Sequence, residues 1–147
     1  GFNCPLQSTE KMGDYYLEFE CEENISSFSL DNGLKSKSAE PFLRNQKIIQ
    51  LSPELFSRDA IILEGFKSNK VSMKSKASKK AVRVEFEGFP YLGIWSKPEG
   101  APFVCIEPWY GVADSVDSKG DITAKEGIML LRPSCEFNCQ FNIVIEN

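Results

Sequence analysis

The stretch Tyr15-Tyr16-Leu17-Glu18-Phe19-Glu20-Cys21-Glu22 alternates apolar and acidic side chains. Tyr15, Leu17, Phe19 and Cys21 fall on one face, and the other face is mostly glutamate. Successive side chains of a strand point to opposite sides, so this pattern is a half-buried antiparallel strand. Downstream, Phe28 and Leu30 continue an apolar alternation up to Asp31-Asn32-Gly33, a turn suited to positive φ. Residues 47–51 read as another strand. Ser52-Pro53-Glu54-Leu55-Phe56 then predicts one short helix, with Ser52 as N-cap and proline at the first helical position.

The same period recurs along the rest of the chain. Residues 60–63 form an apolar run, Val71 and Met73 alternate, and so do Val82, Val84 and Phe86. Strands are predicted over 91–95 and 103–106 after proline-rich breaks, and again over 128–131. Phe137, Cys139, Phe141, Ile143 and Ile145 keep strict period two at the end. About nine or ten short strands, with no helices to cover a parallel sheet, predict an all-β sandwich. There is no internal repeat or linker, so residues 1–147 read as one unit of single-domain size.

Composition removes several classes of function. A net charge of -4 argues against nucleic-acid binding, and no apolar stretch is long enough to span a membrane. The five cysteines, at 4, 21, 105, 135 and 139, are odd in number and irregular in spacing. That argues for reduced thiols and a cytoplasmic setting rather than a disulfide framework. The chain contains no histidine, so it cannot by itself build a Ser-His-Asp or Cys-His unit or a histidine metal site. Six lysines at 67, 70, 74, 76, 79 and 80 crowd a hairpin-like region. Without arginine or aromatic pairing they read as a solvated edge hairpin protected against aggregation, ahead of a phosphate-sugar contact.

The densest unusual chemistry lies between Tyr91 and Gly111. Glu107 ends a run that otherwise reads as a buried strand, and Pro108 holds it extended. Trp109 and Tyr110 follow at once. Shielding from water makes a carboxylate a better base near neutrality. Aromatic rings beside polar groups also suit a sugar, whose C–H face stacks while its hydroxyls hydrogen-bond. Position alone leaves a bland alternative, a lysine-paired glutamate at a strand end with Trp95 and Trp109 as core or rim aromatics.

Three segments carry a resemblance. They are Phe89-Pro90-Tyr91-Leu92-Gly93-Ile94-Trp95-Ser96-Lys97-Pro98, Phe103-Val104-Cys105-Ile106-Glu107-Pro108-Trp109-Tyr110-Gly111-Val112-Ala113-Asp114, and Lys125-Glu126-Gly127-Ile128. Together with the opening Gly1-Phe2-Asn3-Cys4-Pro5-Leu6, they resemble the LacX-type branch of the aldose 1-epimerase family. Members of that family are roughly twice this length, so the chain resembles their C-terminal half.

The resemblance implies a galactose-mutarotase-like β-supersandwich, of which residues 1–147 are the C-terminal portion. It also implies an isomerase that interconverts the α and β anomers of an aldose of the galactose or glucose type, without metal or organic cofactor. On that reading Glu107 is the general base, Asp59 binds a sugar hydroxyl and Trp109 lines the pocket. The acid is a histidine that in that branch stands just before the segment resembling residues 1–6, and this chain lacks it. The chain alone is therefore expected to be inactive, and to need the missing N-terminal half or another copy as partner. The competing readings are a non-catalytic carbohydrate-binding β-sandwich, an assembly piece pairing through open edges, and an enzyme of hexose 6-phosphates. The last is disfavoured by the scatter of Arg44, Arg58, Arg83 and Arg132.

Overall fold

Eleven strands run through the residues that the structure, a computed structural model, describes: 1–3, 8–98 and 101–147. In chain order they are β1 (Phe2–Asn3), β2 (Tyr15–Phe28), β3 (Leu30–Asp31), β4 (Leu34–Lys35), β5 (Glu40–Gln50) and β6 (Ile61–Glu64). Then come β7 (Lys70–Ser75), β8 (Ala81–Glu85), β9 (Tyr91–Trp95), β10 (Phe103–Trp109) and β11 (Asn142–Glu146). The remaining regular elements are three single-turn 3-10 helices. Cys4, Pro5 and Leu6 of the opening segment lie outside the described residues.

The alternating stretch that opens β2 is the spine of a nine-stranded antiparallel sheet, ordered β1-β10-β9-β6-β2-β7-β8-β11 with β5 on the other flank of β2. Tyr15, Leu17 and Phe19 are buried as their period predicts. Along one flank of β2, residues 15–19 pair with β7, while Ser27 and Phe28 pair with β6. Between these pairings the loop joining β6 to β7 packs against Glu23, which is 0% exposed. Its carboxylate accepts hydrogen bonds from the Lys67 amide at 3.1 Å, the Ser68 amide at 2.8 Å and the Ser68 hydroxyl at 2.7 Å. A buried charge needs this degree of satisfaction to be tolerated.

The two arms that diverge from β2 fold over one core. Leu17, Val71, Met73, Val82 and Val84 of one arm share a buried cluster with Leu63, Leu92, Ile94, Val104 and Ile106 of the other. The sheet is thus curled into a two-layered, sandwich-like body, in agreement with the all-β expectation. The turn at Asn32-Gly33 joins β3 to β4 with φ of 51° and 82°, as its sequence requires.

Four local expectations need correction. The predicted helix is a 3-10 turn at Pro53–Phe56, and the Ser52 side chain makes no capping hydrogen bond. The lysine-rich hairpin β7–β8 is interior, flanked by β2 and β11. Two of its lysines face glutamates, Lys70 pairing with Glu20 at 2.9 Å and Lys74 with Glu18 at 2.6 Å, while Lys67, Lys76, Lys79 and Lys80 are exposed. Residues 128–131 form no strand, and only residues 142–146 of the final alternating run do. Finally, β10 does not stop at Glu107. It continues to Trp109 through Pro108, where β9 pairs with it but β1 does not, a one-sided setting in which a strand accommodates proline.

Candidate active site

Strands β6, β9 and β10 present two faces. Ile61, Leu63, Leu92, Ile94, Val104 and Ile106 point into the core. Their alternates therefore line the outer face. Cross-strand register places Phe28, Ile62, Gly93 and Glu107 in one row, and Glu64, Tyr91 and Trp109 in the next. Ile62, Tyr91 and Val112 form a second buried cluster there, with Phe28, Leu30 and Trp109 packed against it.

Glu107 thus sits on an aromatic-rich face, next in its row to a residue without a side chain. That space is taken by Trp109, whose indole lies over Gly93 so closely that an added Cβ would come within 2.4 Å of its Cζ2. Glu107 is half-buried rather than enclosed, and it forms no ion pair with a lysine or arginine among the described residues. The lysine-pairing alternative therefore has no support in the geometry. The Cys105 thiol, one strand repeat away, adjoins Glu107. Burial pushes the Cys105 thiol up, and the adjoining Glu107 charge adds to the effect. Burial likewise raises Tyr91, helped by the charges of Glu126 and Glu64.

Asp59 lies apart, on the exposed bend entering β6 with φ of 71°. One of its carboxylate oxygens accepts from the Ala60 amide at 2.8 Å. It lines a cleft of about 290 Å³ with Glu40, Arg58 and Phe28 among its walls. No hydrogen bond or ion pair among the described residues joins Asp59 to Glu107 or Trp109, but Phe28 belongs both to this cleft and to the row of Glu107. The residues that sequence reasoning passed over are Tyr91 and Phe28. The spacing Tyr91-Leu92-Gly93-Ile94-Trp95 carried the signal, because period two puts Tyr91, Gly93 and Trp95 on one side.

The same curled sheet occurs in solved structures. The galactose mutarotase related enzyme from Lactobacillus acidophilus superposes with a TM-score of 0.90 at 32% identity, covering 99% of this chain and 49% of that one. A galactose mutarotase-like protein from Lactobacillus casei shares the fold, with a TM-score of 0.86 at 22% identity over 99% of this chain and 51% of that one. By fold and sequence the chain is similar, over 99% of its length, to one half of galactose mutarotase-like proteins. It is likewise 38% identical to the plasmid and chromosomal LacX proteins of Lactococcus lactis subsp. lactis over a 149-residue alignment. That alignment takes in 99% of this chain and 50% of each relative, so the chain spans about half the length of the curated relatives it matches. No protein-family model matches the chain.

Proposed function

We propose that this chain forms the C-terminal portion of an aldose 1-epimerase, with Glu107 as general base. The observation that carries the reading is the pairing of Glu107 with Gly93 on a face where Trp109 and Tyr91 supply aromatic walls. Glu107 takes the proton from the C1 hydroxyl while an acid protonates the ring oxygen. The C1–O5 bond breaks, the C1–C2 bond rotates, and reclosure on the other face of the carbonyl gives the other anomer. Asp59, with one carboxylate oxygen engaged by Ala60, directs the other to a sugar hydroxyl, and Trp109 stacks on the sugar.

This chain has no histidine to act as the acid. The antiparallel register of β1 on β10 sets Phe2 against Val104. Extended by the same register, residues joined ahead of Gly1 would run beside Ile106 and Glu107. That supports an acid supplied from the segment preceding Gly1 in a longer polypeptide. Each acid or base group typically contributes about 10²- to 10⁴-fold. Polarimetry on freshly dissolved glucose and galactose, with the full-length protein, tests the assignment. Glu107→Gln is expected to lower kcat within that range with KM little changed. Unchanged mutarotation removes the assignment, and sugar binding without turnover by the wild type would favour the non-catalytic carbohydrate-binding sandwich.

A further inference from the structure

Lys35 is 3% exposed, yet it is charged and lies outside the proposed chemistry. It ends β4, and four groups converge on its ammonium. Glu126 accepts from it at 2.5 Å and Glu64 at 3.4 Å, while Nζ stands 3.8 Å from the Phe28 ring centroid and 5.6 Å from that of Tyr91. Phe28, Glu64 and Tyr91 belong to the outer face that carries Glu107 and Trp109. Glu126 belongs to the segment 111–127 that crosses this face. Lys35 also holds that segment through its backbone: its amide donates to the Asp114 carbonyl at 2.8 Å, and its carbonyl accepts from the Val116 amide at 3.1 Å. The closing end of the segment packs tightly, since a Cβ on Gly127 would meet the Tyr110 carbonyl oxygen at 2.9 Å and Tyr91 Cε2 at 3.3 Å.

We propose that Lys35 is a positioning residue that clasps segment 111–127 onto the sheet and thereby fixes the aromatic wall formed by Tyr91 and Trp109. The proposal rests on the sugar-binding reading of that face for its functional half only. A cation between two rings and two carboxylates is held from four sides, and it neutralises charges that would otherwise face each other across the seam. Glu64 and Glu126 keep 39% and 43% of their side-chain surface in contact with solvent. When the cation is removed they can regain full hydration if the segment lifts, so the strain falls on the clasp rather than on the core. With segment 111–127 raised, Tyr91 loses its cover and Trp109 its fixed neighbour, and sugar binding weakens before chemistry does.

The test is Lys35→Met in the full-length protein, followed by hydrogen exchange and by steady-state mutarotation. Amide exchange over 112–127 is expected to rise by about tenfold or more while β2 and β7 stay protected. KM is expected to rise by about tenfold with kcat within about twofold. The double variant Lys35→Met/Glu126→Gln is expected to exchange no faster than Lys35→Met alone, because Glu126 is the group that the lysine restrains. Unchanged exchange over 112–127, or faster exchange throughout the sheet, overturns the clasp. Local loosening with KM unaltered overturns its role in positioning the wall. Should the wild type show no mutarotation, the epimerase reading fails, and the exchange arm still decides the clasp.

Discussion

The Trp109 indole occupies the space that a side chain on Gly93 would need, with a built Cβ 2.4 Å from Cζ2 and 2.5 Å from Cη2. Gly93 is fixed by pairing on both sides, to Ile62 of β6 and to Glu107 of β10. The half-buried indole must therefore be the group that moves in Gly93→Ala. Overpacking of this kind costs about 1–3 kcal/mol. The expected result is a lower melting temperature together with altered tryptophan fluorescence, as the ring leaves its place beside Glu107. Emission identical to that of the wild type would show that the indole tolerates the added methyl and is not held over Gly93.

Glu23 and Ser68 make a separate, structural prediction. Ser68→Ala removes a hydroxyl that donates to a fully buried carboxylate, a bond worth about 1.5–3 kcal/mol. Glu23→Ala leaves the Lys67 and Ser68 amides without their acceptor and should cost more than Ser68→Ala. Urea unfolding of the two variants checks the order, and a Glu23→Ala as stable as wild type would mean that the β6–β7 loop finds other partners.

How much of this was legible beforehand depends on what each residue answers to. The first half of β2 was readable because the rings and chains of Tyr15, Leu17 and Phe19 pack into the core at period two. Its second half was not, because Glu23 is buried there beside Ile25, and the partners of Glu23 lie 44 and 45 positions away in sequence. The Asn32-Gly33 turn was readable from backbone stereochemistry alone. The strand expected over 128–131 failed for the opposite reason. Among the described residues its apolar run pairs with no strand, and Leu130 is 94% exposed. At the candidate site, Glu107, Trp109 and Asp59 were visible as residue types beside turns and prolines. The register that puts Gly93 next to Glu107, and the cation that Lys35 brings to Phe28 and Tyr91, arise from pairings between distant segments.

Acid stability should depend on Glu18, which is held between Lys47 at 2.7 Å and Lys74 at 2.6 Å. Hydrogen bonds from Lys47 and then Lys74 lower its carboxyl from the ordinary value of 4.5. A carboxyl lowered on folding contributes stability that is fully present above its unfolded value and is lost as pH falls through the folded one. Wild type should therefore exceed Glu18→Gln at neutral pH, and the gap should close progressively below about pH 4.5. Asp117, pushed down to about 2 by Ser115 and Lys37, extends the same acid limb further down. Chemical unfolding across this range is the measurement. A gap that persists at the lowest pH would assign the effect of Glu18→Gln to packing rather than charge.

The last strand predicts how the 147-residue chain behaves by itself. Ile143 and Ile145 of β11 pair with Val84 and Val82, and so share the face that those valines bury in the core. Yet the isoleucines are 50% and 66% exposed, and Phe137 and Phe141 nearby are also uncovered. β11 is at the same time one end of the sheet, so its outer hydrogen-bonding edge is open. An open strand edge bearing apolar side chains associates with whatever matches it. The isolated chain is expected to bind a hydrophobic dye and to form concentration-dependent assemblies in light scattering. Replacing both Ile143 and Ile145 by serine should reduce both signals with little loss of stability, since little packing is removed. A chain that stays monomeric and dye-silent at high concentration would mean that this face needs no cover, and the expectation that the chain needs a partner half or another copy would lose this support.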